Sequence, residues 1–147
     1  MATPTYKNIL LALDLHNECD RTTIERAIQI AESNAAQLSL VHAVVHINAY
    51  GIAQAYPVVL NIEEDQVEIA RKELANVGEA LGIPTERQFV EIGSPKSIII
   101  QKAIDINADL IIVGSHGRHG ISLLLGSTAN AVLQYASCDV LAVRVAE

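Results

Sequence analysis

The chain has 147 residues, 50% of them hydrophobic, and carries 10 Lys plus Arg against 17 Asp plus Glu, a formal net charge of −7. That length and apolar content suit a single domain, residues 1–147, with one packed core. The acidic balance leaves no cationic surface to draw a nucleic-acid backbone or an anionic membrane, so neither is expected as a partner.

The opening stretch "MATPTYKNILLALDL" has one lysine, and its apolar run stops at Asp14. It is too short for a signal peptide or a membrane span, and the chain is expected to be soluble and cytoplasmic. Within it "NILLALDL" reads as a first strand. Ile24, Ala27, Ile28 and Ala31 then follow the i, i+3, i+4, i+7 spacing of an amphipathic helix. "AQLSLVHAVVHI" reads as a second strand whose lack of clean alternation suits a strand covered on both faces, as in a parallel sheet. Residues 46 to 60, "HINAYGIAQAYPVVL", are uncharged apart from His46 and fit either a lid or partner surface or a segment folded back on its own core.

Over residues 61 to 82, Val67, Ala70, Leu74, Val77 and Leu81 share one face, and Gly82 ahead of Pro84 marks the end of this second helix. "TERQFVEI" alternates as a third strand. Ser94 and Pro95 occupy the N-cap and first position of a third helix. "ADLIIVG" is a fourth strand, "STANAVLQYA" a fourth helix and "CDVLAVRV" a fifth strand. Five strands alternating with four helices predict a three-layer α/β/α sandwich built on right-handed crossovers. Ligands of such sheets sit where the strand order reverses, outside the carboxyl ends of the strands, so the segments after strands one and four are the ones to watch.

The segment after strand four, "GSHGRHGISLLLGST", spaces Gly114, Gly117 and Gly120 three apart and then places Gly126, Ser127 and Thr128 ahead of a helix. A Walker A loop needs a lysine before its Ser/Thr, and here Ser127 follows Gly126 directly. A dinucleotide fingerprint needs G-x-G-x-x-G after the first strand, and this stretch is G-x-x-G-x-x-G after the fourth. Glycines that allow positive φ and close backbone approach, next to the free N–H groups of a helix start, still suit a phosphate, and Asp14 across the sheet suits a ribose. A tight strand-to-helix connection is the other reading of the same glycines. His116 and His119 have no nearby Cys, Asp or Glu to complete a metal site and read as a solvent-exposed pair, and His42 and His46 read as core or rim residues. Cys19 and Cys138 match no metal-ligand or C-x-x-C spacing and read as reduced thiols.

Taken together, "YKNILLALDL", "GSHGRHGISLLLGSTANAVL" and "CDVLAV" resemble the universal stress protein (UspA) family over essentially the whole chain. The resemblance implies a Rossmann-like domain of the adenine nucleotide alpha hydrolase-like type, with a parallel sheet of order 3-2-1-4-5. It also implies a cytoplasmic, stress-responsive homodimer joined through the C-terminal strand, with ATP, accompanied by Mg²⁺, as a regulatory ligand. By position, Asp14 meets the ribose or adenine, Ala12, Ala43 and Val113 line the base pocket, and Gly114, Gly117, Gly126, Ser127 and Thr128 hold the phosphates. In family members that bind ATP the two parts of the glycine motif stand one residue further apart than here, where eight residues, Arg118 to Leu125, separate Gly117 from Gly126. The family also has a branch that binds no ATP. Ser122, Ser127 and Thr128 offer hydroxyls, but no base or lysine stands at a diagnostic spacing. No catalytic residue is assigned, and a slow nucleotide hydrolase, a self-phosphorylating enzyme and a nucleotide-free interaction module remain the alternatives.

Overall fold

A computed structural model of the chain describes residues 6–15, 17–46, 56–116 and 126–145. In chain order the elements are β1 (Asn8–Ala12), α1 (Asn17–Asn34), β2 (Gln37–Val44), α2 (Tyr56–Leu81), β3 (Gln88–Ile92), α3 (Pro95–Asp105), β4 (Leu110–His116), α4 (Ser127–Tyr135) and β5 (Asp139–Val145). The strands form one sheet of order β3-β2-β1-β4-β5 in which every neighbouring pair is parallel. That is the order implied by the family resemblance.

β1 is central, pairing Ile9 with Leu38 of β2 and Leu110 of β4. Its side chains alternate between two buried layers. Ile9, Leu11 and Leu13 pack with Ala27 and Ala31 of α1 and Leu74 of α2. Leu10 and Ala12 pack with Ile99 and Ala103 of α3 and Ala129 and Val132 of α4. Ile9, Leu10 and Leu11 are each 0% exposed, which explains why the strand reads as a continuous apolar run rather than an alternation. Among the described residues no helix is long and apolar enough to cross a membrane.

Three helices end in the same way. After α2, Gly82 takes φ +72°, its N–H donates to Glu79 O at 3.3 Å and the Ile83 N–H donates to Gly78 O at 2.8 Å, the paired 6→1 and 5→2 bonds of a Schellman motif. Ala35 (φ +52°) after α1 and Asn107 (φ +57°) near the end of α3 repeat the pattern through Ala36 to Ala31 and Ala108 to Ala103, both at 2.8 Å. The sequence marks the first of these ends with a glycine but not the other two.

Three expectations are corrected in detail. The third strand begins at Gln88 rather than Thr85, because Thr85–Arg87 form a 3₁₀ turn. Its Arg87 N–H donates to Pro84 O at 3.0 Å and its Gln88 N–H to Thr85 O, so those donors are not available to a ladder. α2 starts at Tyr56, earlier than the residue 61 at which apolar periodicity becomes visible. Ser94 is the N-cap of α3, and Pro95 opens the helix as expected, but the Ser94 side chain makes no cap hydrogen bond.

The amino ends of β1, β4 and β5 are joined by carboxylates. Asp109 accepts from the N–H of Lys7 at 2.8 Å and of Asn8 at 3.1 Å, and the Tyr6 hydroxyl donates to Asp139 at 2.7 Å. That bond to Asp139 holds the Tyr6 hydroxyl proton above its ordinary range. Cys138 alongside is a free thiol pushed up chiefly by burial, with the Asp139 and Asp109 charges adding to it.

Ala35 carries a Cβ in the left-handed region, a conformation that costs an L-residue roughly 1–2 kcal/mol and costs glycine little. Ala35→Gly should therefore raise stability by about 0.5–1 kcal/mol in urea unfolding, after the extra unfolded-state entropy of glycine is allowed for. A loss of stability of the same size would show that the motif does not hold this residue at positive φ.

Candidate functional site

Strand order reverses between β1 and β4, which are neighbours although two strands and three helices separate them in sequence. The carboxyl ends of these two strands therefore open side by side at one end of the sheet, the position at which α/β sheets hold ligands.

On the β1 side, the Leu13 N–H extends the ladder by donating to Val41 O at 3.0 Å. The chain then turns through exposed Asp14 and half-buried Leu15, whose φ is +63°. Two side chains hold this turn. Asp20, in the first turns of α1 and only 8% exposed, accepts from the Asp14 N–H at 3.1 Å and the Leu15 N–H at 2.7 Å. The half-buried His42 of β2 places Nδ1 2.7 Å from Leu13 O. A carbonyl oxygen only accepts, so Nδ1 carries the proton there. The backbone polar groups of the turn are thus engaged inward, while the Asp14 carboxylate lies on the exposed side.

Ala12, Ala43 and Val113 fall on one face of the sheet. Ala12 and Val113 belong to the layer under α3 and α4, and Ala43 follows the buried Val41 of that layer at a strand's period of two. Ala12 and Ala43 are half-buried and Val113 is 2% exposed. Gly114 continues β4 opposite Val143, and Ser115 behind it is buried.

On the α4 side, Gly126 is the N-cap with φ +81° and ψ 147°, a conformation that favours glycine. Its carbonyl accepts the first helical bond, from the Asn130 N–H at 3.0 Å. The N–H groups of Ser127, Thr128 and Ala129 belong to the first turn, which finds no acceptor inside its own helix, and they carry the positive end of the helix dipole. Ser127 is exposed and Thr128 half-buried. Gly117, Gly120, His119 and the side chain of His116 lie outside the described residues, as do residues 47–55 of the uncharged stretch.

His46 is exposed and its Nδ1 stands 3.4 Å from the buried Glu63 of α2, so it is a rim residue paired across to a helix. Among the described residues no cluster of three or more His, Cys, Asp or Glu is placed to hold a metal ion. Sequence reasoning named Asp14 but passed over Asp20. An acidic residue in a first helical turn has the generic explanation that it meets the helix dipole, and nothing in its spacing announces a carboxylate that reaches back to two N–H groups of the preceding turn.

Known proteins resemble this chain in sequence and in fold. Residues 5–144 match the model of the universal stress protein family. Universal stress protein A homolog 2 of Coxiella burnetii is 46% identical over 140 residues, covering 95% of this chain and 96% of that protein. The structure of universal stress protein UspA from Lactobacillus plantarum superposes with a TM-score of 0.80 at 23% identity, covering 97% of this chain and 100% of that one. A universal stress protein solved in complex with cAMP superposes with a TM-score of 0.60 at 24% identity, covering 95% and 97%.

The Asp20 clamp is directly testable. Asp20→Ala leaves two N–H groups without their acceptor and should cost about 1–3 kcal/mol of stability. Hydrogen exchange at Asp14 and Leu15 should quicken while exchange in β4 stays the same. Unchanged exchange at those two amides would show that the turn does not depend on Asp20.

Proposed function

The chain belongs to the universal stress protein family, and from that membership we propose that it is a cytoplasmic homodimer that binds an adenine nucleotide, ATP with Mg²⁺, as a regulatory ligand in a stress response. The observation that supports this reading is the side-by-side placement of β1 and β4 at the switch point. The Asp14 turn, clamped by Asp20, follows β1, and the Gly126–Ser127–Thr128 helix start belongs to the connection after β4. A ribose between them would find the Asp14 carboxylate, and a phosphate would find first-turn N–H groups. Ala12, Ala43 and Val113 share the face on which the base would rest, and by their family positions Gly114 and Gly117 would contribute to holding the phosphates.

A helix terminus contributes about 0.3–1 kcal/mol to an exposed anion, so affinity in the micromolar range, near −8 kcal/mol, rests on the whole set of contacts. That a neighbour of the same fold holds cAMP supports adenine nucleotides as the ligand class. The shortened glycine spacing makes the phosphate contacts the part of the site most exposed to failure, because hydrogen bonds to phosphate weaken steeply beyond ~3.2 Å.

Thermal unfolding and calorimetry separate the two halves of such a site. A hundredfold excess of ATP or ADP over its dissociation constant should add ~2.7 kcal/mol and raise the melting temperature by ~5–10 °C. Adenosine at the same concentration should do much less. Ser127→Glu places a carboxylate where the phosphates would lie and suits the helix dipole, so it should weaken ATP about tenfold and spare adenosine. Asp14→Ala should weaken both. If wild-type protein gives no heat with ATP or ADP up to millimolar concentration, the nucleotide reading is wrong and the chain belongs with the branch that binds no ATP.

The dimer rests on β5, which lies at one edge of the sheet beside a groove of about 650 Å³ against α1, lined by Arg26, Ile30, Asn34, Leu141 and Val143. An apolar edge strand of this kind is a template for pairing with a second copy. Wild-type protein should sediment as a dimer of the 15.8 kDa chain at micromolar concentration, and Ala142→Pro should shift it to monomer. A monomeric wild type contradicts the assignment.

A further inference from the structure

β3 is the opposite edge of the sheet, and among the described residues it pairs with β2 alone. Just past its end, the Gly93 N–H donates to Val44 O at 2.9 Å, toward β2. The N–H and C=O of one residue point to the same side of a strand and the side alternates, so Val90 and Ile92 direct theirs outward, away from β2. Gln88 stands in the same phase, but its N–H is already bonded to Thr85 O.

A groove of about 540 Å³ runs along this edge between α2 and β3. Its lining includes the buried Leu74, the half-buried Phe89 and Val90, and three cations, Arg71, Lys72 and Lys102. Arg71 and Lys72 are exposed. The Lys102 ammonium stands 4.5 Å above the Phe89 ring and 2.8 Å from the Glu91 carboxylate, so it is fixed in place as part of the wall. Glu91 is the one acidic residue of that lining. Three of the chain's 10 Lys plus Arg thus gather at one sheet edge of a protein whose net charge is −7.

We propose that the β3 edge is the docking site of a partner protein that adds an extended acidic segment to the sheet as a sixth strand. Its backbone pairs with the outward groups of Val90 and Ile92, its apolar side chains meet Phe89 and Val90, and its carboxylates meet Arg71 and Lys72. Strand addition draws affinity from main-chain bonds and specificity from alternate side chains, and this edge presents both. The local charge selects an acidic segment, while the overall negative charge disfavours a polynucleotide or an anionic membrane, either of which would bring its own extended field of phosphates. The site lies at a sheet edge, away from the carboxyl ends of β1 and β4, and does not depend on the nucleotide reading.

The test uses the full chain, labelled with ¹⁵N, and an eight-residue peptide alternating Glu and Val, with a Lys and Val peptide as control. The Glu peptide should shift the Val90 and Ile92 amides with or without ADP, and the Lys peptide should not. Arg71→Glu with Lys72→Glu, both at exposed helix positions, should weaken the Glu peptide about tenfold and favour the Lys peptide. The proposal is overturned if the Glu peptide causes no shift up to millimolar concentration, if shifts fall on β5 instead, or if both peptides bind alike. It is also overturned if these amides respond only to an oligonucleotide, to anionic vesicles or to self-association of the chain.

Discussion

Complete burial of β1 between β2 and β4 is the constraint on which the rest of the molecule depends. Ile9, Leu10 and Leu11 expose no surface, so both faces of the strand must be covered and both of its edges paired. α1 and α2 cover one face, and α3 and α4 the other. Burying a side chain of this size contributes roughly 1.5–3 kcal/mol, and a register slip by one residue would exchange the two layers. With β1 fixed at the centre, β2 and β3 extend the sheet to one side and β4 and β5 to the other. The reversal of strand order, and the crevice that goes with it, then necessarily falls between β1 and β4.

The two ends of the sheet are built for different purposes. At the amino ends, Asp109 and Asp139 join strands that are distant in sequence, through the Lys7 and Asn8 N–H groups and the Tyr6 hydroxyl. These contacts tie the start of the chain to β4 and β5. At the carboxyl ends, Asp20 and His42 engage the backbone of the β1 turn from below, so that Asp14 is held on a shaped loop. Two carboxylates thus fall within one short stretch, with Asp20 buried and bonded to N–H groups and Asp14 exposed. Asp20 fixes the backbone that presents Asp14, and a loop fixed in advance gives up less entropy when a ligand binds.

Much of the architecture was legible because burial leaves periodicity in the sequence. The apolar runs of β1 and β4 and the helical spacing of Ala27, Ala31, Ala70 and Leu74 reflect the layers in which those residues lie. The strict alternation of strands and helices left few topologies open. What was not legible depends on backbone hydrogen bonds that side-chain patterns do not encode. Thr85 to Arg87 carry a strand-like pattern, yet Pro84 supplies an acceptor that draws them into a 3₁₀ turn. Ala35 has no cue for a left-handed helix end, because the Schellman bonds impose that conformation on whichever residue stands there.

The candidate site divides along the same line. Residues at the ends of β1 and β4 and at the start of α4 could be named from the glycine pattern and from the rule that places ligands at a switch point. Asp20 could not, because its part in the site is a three-dimensional return to the turn before it. The edges of the sheet divide too. The apolar character of β5 could be read directly from "DVLAVRV", whereas the cationic groove beside β3 is assembled from α2, β3 and α3 and exists only once these have packed.

The central claim is that the turn after β1 and the helix start after β4 form a single site for an adenine nucleotide. Titrating the ¹⁵N-labelled protein with ADP tests it most directly. The amides of Asp14, Leu15, Gly114, Ser127 and Thr128 should shift together along one binding curve, while those of Val90 and Ile92 at the β3 edge stay still. Shifts confined to one of the two segments, or none at millimolar ADP, would contradict the account.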